Sequence, residues 1–176
     1  MSPIISVRSA APRDLKALVG MCDALNAHSG IPTGRLDVRK YRSALFGKNA
    51  FLFADLAEAS EAGEEGQSLA GYILAHDAFT TDYGERGMYV VDLYVEPGWR
   101  RAGVGKKLMA RAAARAKARG GTHLWWASMP SNYPARRFYE ALGATNERIH
   151  SHALFDRAFD RLAGSGQRRK SATVSR

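Results

Sequence analysis

The chain has 176 residues, a length typical of one domain with a single hydrophobic core. No apolar run approaches the roughly 20 residues of a membrane-spanning helix, and the first residues lack the basic and then apolar layout of a secretory signal. The single cysteine, Cys22, excludes an internal disulfide framework and a cysteine-based zinc site. We therefore expect a cytoplasmic protein that binds no metal and no membrane.

Hydrophobic periodicity predicts strands and helices in alternation. Strands are predicted at residues 4–10, 50–58, 69–79, 88–95, 122–128 and 148–155, and helices at residues 12–28, 37–46, 103–119 and 134–142, with a short helical pattern near the end. The order is typical of an α/β or α+β fold with a mixed sheet and helices on both faces. We predict one domain over residues 1–163 and a disordered basic tail over residues 164–176.

The net charge of +9 favours polyanionic partners, and its distribution is uneven. Residues 98–121 contain eight Lys/Arg and no Asp/Glu, while residues 157–176 contain six Lys/Arg and one acid. The excess positive charge therefore lies around a glycine turn and in the tail.

The glycine turn, "RRAGVGKKLM", does not match two common phosphate-binding motifs. In a nucleotide P-loop a lysine would stand at Val104, and in a dinucleotide fingerprint a third glycine would stand at Leu108. What remains is the pattern Arg100-x-x-Gly103-x-Gly105 between a strand and a helix. Amides at a helix start and the helix dipole favour an anion, and the glycines let it approach the backbone. The pattern is suited to a pyrophosphate, and the alternative is a plain strand-to-helix connection with a solvated basic face.

Two segments in the right order resemble the GNAT N-acetyltransferase superfamily. "DLYVEPGWRRAGVGKKLM" resembles its acetyl-coenzyme A (acetyl-CoA) loop, with the signature Arg/Gln-x-x-Gly-x-Gly/Ala after a strand that ends in Val. "NYPARRFYEALGA", about 30 residues downstream, resembles its Asn-x-x-Ala-x-x-Phe-Tyr-x-x-x-Gly segment. The resemblance covers about residues 4–155. It implies a GNAT-like, mostly antiparallel sheet and direct acetyl transfer from acetyl-CoA to an amine.

The resemblance also implies roles for individual residues. The pyrophosphate would lie on the backbone amides of the turn, and the strand 93–95 would splay from its neighbour at a bulge and bind the pantetheine arm. Asn132 would contact the same arm, Tyr139 would protonate the departing thiolate, and Arg111 could meet the 3′-phosphate. The implied cofactor-binding residues are Leu93, Tyr94, Val95, Arg100, Arg101, Ala102, Gly103, Val104, Gly105, Lys106 and Asn132.

Within the superfamily, "FTTDYGERGMYVVDLYV" resembles the diamine (spermidine/spermine-type) acetyltransferases. This implies that Asp92 lines the amine pocket as a base or an anchor and that the protein is a homodimer. Asp82, a carboxylate in the predicted turn before this strand, is a further candidate for binding the substrate. The sequence departs from that group at Val91, where the group has a glutamate linked to amine deprotonation. The loop "NAHSGIPTG" also lacks the acids that would bind a polycation. We expect a primary amine of a small molecule, such as an amino acid or a diamine, as acceptor; the alternative is a protein amine.

Two other classes of protein could carry the same basic residues. The basic helix and tail could bind nucleic acid through phosphate contacts, or the chain could bind acyl-CoA without transferring its acyl group. The cations lie where a coenzyme A site requires them, and no surface of interleaved aromatic and basic residues is evident. We therefore expect no nucleic-acid partner.

Overall fold

The computed structural model describes residues 3–61 and 66–165, and the elements follow the predicted order with one exception. The strands are β1 (Ile4–Ser9), β2 (Phe53–Ser60), β3 (Ser68–Thr80), β4 (Glu85–Val95) and β5 (His123–Trp125). The helices are α1 (Leu15–His28), α2 (Val38–Phe46), α3 (Val104–Ala118), α4 (Tyr133–Ala141) and α5 (Asp156–Ser165). None of these helices is long and apolar enough to cross a membrane.

The described strands form one sheet in the order β1-β2-β3-β4-β5, antiparallel throughout except for the parallel pair β4–β5. Helices α1 and α2 cover one face, where Leu18 and Leu45 share a buried cluster with Tyr72. Helix α3 covers the opposite face, where Arg115 pairs with Asp55. The predicted mixed, mostly antiparallel sheet with helices on both faces is confirmed.

Local signals in the sequence explain the first two helices. Apolar residues three and four positions apart give α1 a buried stripe that includes Leu18 and Cys22. The predicted core position of Cys22 is confirmed, since its side chain is buried. Helix α2 begins at Asp37, whose carboxylate accepts a hydrogen bond from the Arg39 amide at 2.8 Å.

The predicted strand at residues 148–155 is wrong. These residues form no regular element, and Ile149 and Leu154 expose their side chains. An alternating pattern produces a strand only where a neighbouring strand accepts and donates its backbone hydrogen bonds. No ladder of the described sheet includes residues 148–155.

The chain divides into two compact units, Met1–Ala135 and Arg136–Arg176. The sheet and α1 to α3 belong to the first unit, and α5 belongs to the second. The single domain over residues 1–163 stays a prediction. Most of the predicted tail, residues 166–176, lies outside the described part of the chain.

The pairing of β4 with β5 ends near the middle of β4. The two strands pair over three residues only, with Gly87–Tyr89 opposite His123–Trp125. On the other side, Asp92 lies opposite Leu74 and Val90 opposite Ala75, so Val91 is an extra residue in the ladder, a β-bulge. A bulge bends and twists its strand. Residues 92–95 of β4 therefore keep their pairing with β3 but have no β5 partner in the described sheet.

Candidate active site

The turn before α3 has a left-handed backbone at two positions. Gly103, which precedes the first residue of α3, has φ 94°, and Arg101 has φ 65°. A side chain at Gly103 would have open space, but its backbone would be strained at this φ. Glycine is therefore favoured at position 103 by the conformation of the backbone and not by a lack of space for a side chain.

The first turn of α3 presents amides without helical partners. The first amide that finds an acceptor in this helix is that of Lys107, which donates to the Gly103 carbonyl at 3.1 Å. The amides of residues 104–106 precede it and point out of the helix start. Together with the positive end of the helix dipole, they can bind an anionic group.

The four cations around the turn have two different roles. Lys107 Nζ donates to the Ile5 carbonyl at 2.7 Å, and Arg100 Nε donates to the Val95 carbonyl at 3.1 Å. These two side chains therefore hold the turn against β1 and against the end of β4. The side chains of Arg101 and Lys106 are exposed and, among the residues the structure describes, have no polar partner. They remain available for an anion.

The arginines further along α3 hold the helix on the sheet. Asp55 is 2% exposed and accepts hydrogen bonds from Arg115 at 2.7 and 2.8 Å, from Arg111 at 3.3 Å and from the Ser9 hydroxyl at 3.0 Å. Burial of a carboxylate is costly unless it is paired. Arg111, the sequence candidate for a 3′-phosphate contact, is thus already paired with Asp55.

Asp92 lies just past the bulge, on the α1/α2 face of the sheet. Its Oδ2 accepts a hydrogen bond from the Tyr72 hydroxyl at 3.4 Å. Burial raises the pKa of this carboxyl, and the Tyr72 hydrogen bond lowers it in part. The neighbouring Cys22 thiol interacts with the hydroxyls of Tyr72 and Tyr41, and burial raises its pKa. Asp92 is therefore a carboxyl of raised pKa, suited to take up a proton, whereas Cys22 stays a neutral thiol.

Asp82 is not brought near Asp92. It lies in the exposed turn between β3 and β4, at the far end of β4 from the bulge. The two carboxylates are separated by roughly 20 Å along the strand, at 3.3 Å per residue. A substrate-binding role of Asp82 stays a prediction.

The second motif places Asn132 and Tyr139 at opposite ends of α4. Asn132 is half-buried, and its Oδ1 accepts the Ala135 amide at 3.2 Å, which caps the helix start. Tyr139 is half-buried in the second unit, and burial raises its pKa. A phenol with a raised pKa stays protonated, as an acid must before it donates. The roles of both residues toward the cofactor stay predictions.

One feature escaped the sequence analysis because it joins three strands. His76 of β3 stacks on Tyr89 of β4 with ring centroids 5.5 Å apart, and Tyr89 meets Trp125 of β5 edge to face at 5.7 Å. Only the register of the strands brings these rings together, and no local pattern signals it. A separate surface cavity of about 440 Å³ contains no residue of the turn, being lined by Ala50, Phe51, Phe53, His76, Asp77 and Arg119.

Comparisons with known proteins agree with this architecture. A thialysine N-epsilon-acetyltransferase of Sus scrofa is 34% identical over 125 residues, which are 68% of this chain and 73% of that protein. An L-ornithine N5-acetyltransferase of Arabidopsis thaliana is 30% identical over 76 residues, 43% of this chain and 33% of that protein. The solved structure of an aminoglycoside acetyltransferase from an uncultured soil metagenomic sample has the same fold, with a TM-score of 0.69 at 16% identity over 86% of this chain and 97% of that chain.

The family itself follows from a match over most of the sheet and its helices. The model of the acetyltransferase (GNAT) family matches residues 21–144, which include β2 to β5, the turn, α3 and α4. This family uses acetyl-CoA as its cosubstrate. The chain therefore belongs to the GNAT family and is an acetyltransferase.

Proposed function

We propose that the protein transfers the acetyl group of acetyl-CoA directly to a primary amine of a small molecule. The observation that carries this proposal is the position of the α3 start relative to β4. The amides of residues 104–106, which have no partner within α3, and the exposed cations Arg101 and Lys106 follow β4 after a connection of eight residues, 96–103, and the end of β4 has no β5 partner in the described sheet. An anion site is thus next to an open backbone edge.

These two features fit two adjoining parts of acetyl-CoA, its pyrophosphate and its pantetheine arm. The turn amides and the two cations suit the pyrophosphate, since arginine and lysine make charge-assisted hydrogen bonds to phosphate. Residues 93–95 of β4 can pair with the amide groups of the pantetheine arm, as an added strand would. We infer that the cofactor binds along this path, with the thioester near the bulge at Val91.

The transfer requires few catalytic groups. The neutral amine attacks the thioester carbonyl, a C–N bond forms, the C–S bond breaks, and the thiolate leaves. Asp92 accepts a proton from the ammonium, directly or through water, and burial suits it to this role by raising its pKa. Tyr139 donates its phenolic proton to the thiolate and regains a proton from the acylated nitrogen, which loses its second proton as the C–S bond breaks. The remaining rate enhancement comes from orientation of the amine against the thioester.

Relatives support a small acceptor. The thialysine and ornithine enzymes are named for amino acids that carry a second amine on the side chain. An amino acid or a diamine is therefore the acceptor class that we propose, ahead of a protein amine.

We also propose a homodimer, which is supported by apolar side chains in the second unit. Phe155, Phe159 and Leu162 recur at helical spacing and are all exposed, which is unusual for a free surface. Sedimentation velocity on the full chain tests this proposal, and a monomer at micromolar concentration would contradict it. The cytoplasmic location stays a prediction.

The activity is tested by product analysis. Purified protein is incubated with acetyl-CoA and, separately, lysine, ornithine, thialysine, 1,4-diaminobutane and a peptide with a free N-terminus. Release of free thiol and the acetylated product are followed, the product by mass spectrometry. Acetylation of at least one small amine is expected. Thiol release no faster than hydrolysis with every amine, or acetylation of the peptide alone, would contradict the proposal.

A further inference from the structure

The three rings of His76, Tyr89 and Trp125 form a continuous aromatic row across β3, β4 and β5. The rings meet at centroid distances of 5.5 and 5.7 Å. Trp125, at one end, is 53% exposed, and the other two side chains are half-buried. A large aromatic ring that leaves half its surface in solvent contributes little to a core, so Trp125 at the end of the row is open to a ligand.

The row lies on the same face of the sheet as Asp92, and the bulge is the reason. Residues three apart in a regular strand point to opposite faces, so Tyr89 and Asp92 would normally be separated by the sheet. The extra residue Val91 reverses this alternation. Tyr89 lies opposite His76 and Asp92 opposite Leu74 in the antiparallel ladder, and those two β3 residues are two apart. Directly opposite residues share a face, so all four do.

The distance along this face suits a short chain with a charge at each end. The positions of Asp92 and Tyr89 differ by two residues along β3, which is roughly 7 Å. The two nitrogens of an extended diamine or diamino acid with a four- or five-carbon spacing span a comparable length. Val91, the extra residue of the bulge, lies between the two positions in the sequence and is 43% exposed.

The chemistry of the row favours a cation. Aromatic faces attract ammonium groups, and tryptophan does so most strongly. A chain with a net charge of +9 repels cations in general, so a cationic ligand needs such local attraction. A carboxylate at one end and aromatic faces at the other supply it at both nitrogens of the ligand.

We propose that the aromatic row binds the second, non-reacting ammonium of the acceptor while its reacting amine lies at Asp92. The row then determines specificity, because it favours acceptors with two amino groups over monoamines of the same length. This inference rests on the proposed function, since it assigns Asp92 to the reacting amine.

The test compares two acceptors that differ by one ammonium, 1,4-diaminobutane and 1-aminobutane. In the wild type, kcat/KM is expected to be higher for the diamine. In Trp125→Leu the ratio of the two kcat/KM values falls roughly tenfold, whereas Trp125→Phe, which keeps an aromatic face, retains most of it. Phe79→Leu is the matched control, because Phe79 is an exposed aromatic residue of β3 outside the row. It leaves the ratio unchanged.

A binding measurement gives a readout that does not depend on turnover. The diamine is titrated by calorimetry into protein saturated with coenzyme A, and thermal melting confirms that each variant is folded. The expected result is weaker diamine binding in Trp125→Leu than in Phe79→Leu.

Three outcomes would overturn the inference. The first is a Trp125→Leu variant with the wild-type ratio of the two kcat/KM values. The second is an equal loss of kcat/KM for the diamine and the monoamine in that variant. The third is a wild type with a higher kcat/KM for the monoamine. In each of these the acetyltransferase proposal survives. A wild type inactive toward every amine would instead contradict the proposed function itself.

Discussion

The hydroxyl of Tyr72 donates a hydrogen bond to Oδ2 of Asp92 at 3.4 Å, across two neighbouring strands of the sheet. Tyr72 is fully buried, and the environment that covers it also raises the pKa of Asp92. Burial of the carboxyl next to the bulge therefore costs solvation that this long hydrogen bond offsets only in part. Such an arrangement favours catalysis over stability.

Replacement of Asp92 by Asn should accordingly change activity and stability in opposite directions. The variant keeps an oxygen for Tyr72 but cannot take up a proton. We expect kcat/KM for the amine to fall roughly a hundredfold with the affinity for acetyl-CoA unchanged. Steady-state kinetics and calorimetry measure the two quantities, and unchanged kinetics would remove Asp92 from the mechanism.

The stability of the same variant should depend on pH. Folding raises the pKa of Asp92, so the folded state favours the protonated carboxyl. The wild type therefore loses free energy of unfolding as the pH rises from the ordinary aspartate range through the raised pKa. The Asn side chain does not titrate. The free energy of unfolding of the variant, measured by urea denaturation, should therefore exceed that of the wild type by little in acid and by more toward neutral pH. A difference in free energy of unfolding that stays constant across this pH range would contradict the raised pKa of Asp92.

Tyr139 is predicted to protonate the leaving thiolate. Tyr139→Phe should lower kcat roughly tenfold to a hundredfold with little change in the affinity for acetyl-CoA. Burial raises the pKa of Tyr139, so the alkaline limb of the wild-type kcat profile should lie above the usual tyrosine range. The exposed residue Tyr83 gives the matched control, Tyr83→Phe. Equal kcat values in the two variants would exclude the role.

The pair of Arg115 and Asp55 should determine how firmly α3 is held. Arg115→Met leaves the carboxylate of Asp55 buried with a weaker set of partners, which should reduce the free energy of unfolding by about 3 kcal/mol. Arg111→Met should cost much less, because Arg111 is more exposed and its hydrogen bond is longer. Chemical denaturation distinguishes the two, and an equal loss would mean that Arg115 is not the main partner.

A feature of the fold or of the candidate site could be predicted from the sequence where the residues that form it are neighbours in the chain. The turn from Arg100 to Lys106 was predictable because its glycines, cations and helix start are contiguous. The different roles of Lys106 and Lys107 could not be predicted. They depend on the direction in which each side chain leaves α3 and on a carbonyl of β1, which is distant in the sequence.

Features that depend on strand register were equally out of reach. The aromatic row requires His76, Tyr89 and Trp125 to be aligned by two ladders and shifted by one bulge. The incorrect strand at residues 148–155 has the same origin. Alternation shows that a segment could have two faces, but it does not show that a strand edge is there to pair with it.

The different roles of the cations around the turn give a further prediction. Arg101→Ala and Lys106→Ala should each weaken acetyl-CoA binding roughly tenfold, with a smaller loss at high salt. Lys107→Ala is the control, because its ammonium is directed to the Ile5 carbonyl and not to the turn. Calorimetry at two salt concentrations measures all three. If Lys107→Ala weakened binding most, the assignment of the cations would be wrong.

The central claim, that the turn before α3 binds the pyrophosphate of acetyl-CoA, is tested most directly by calorimetric titration of Gly103→Asp with acetyl-CoA. The substitution strains the left-handed backbone and places a negative charge in the anion site. Gly98→Ala is the matched control, because an added methyl group there has open space. We predict saturable binding in the wild type and in Gly98→Ala, and a loss of roughly a hundredfold or more in Gly103→Asp. Undiminished affinity in a folded Gly103→Asp variant would contradict the claim.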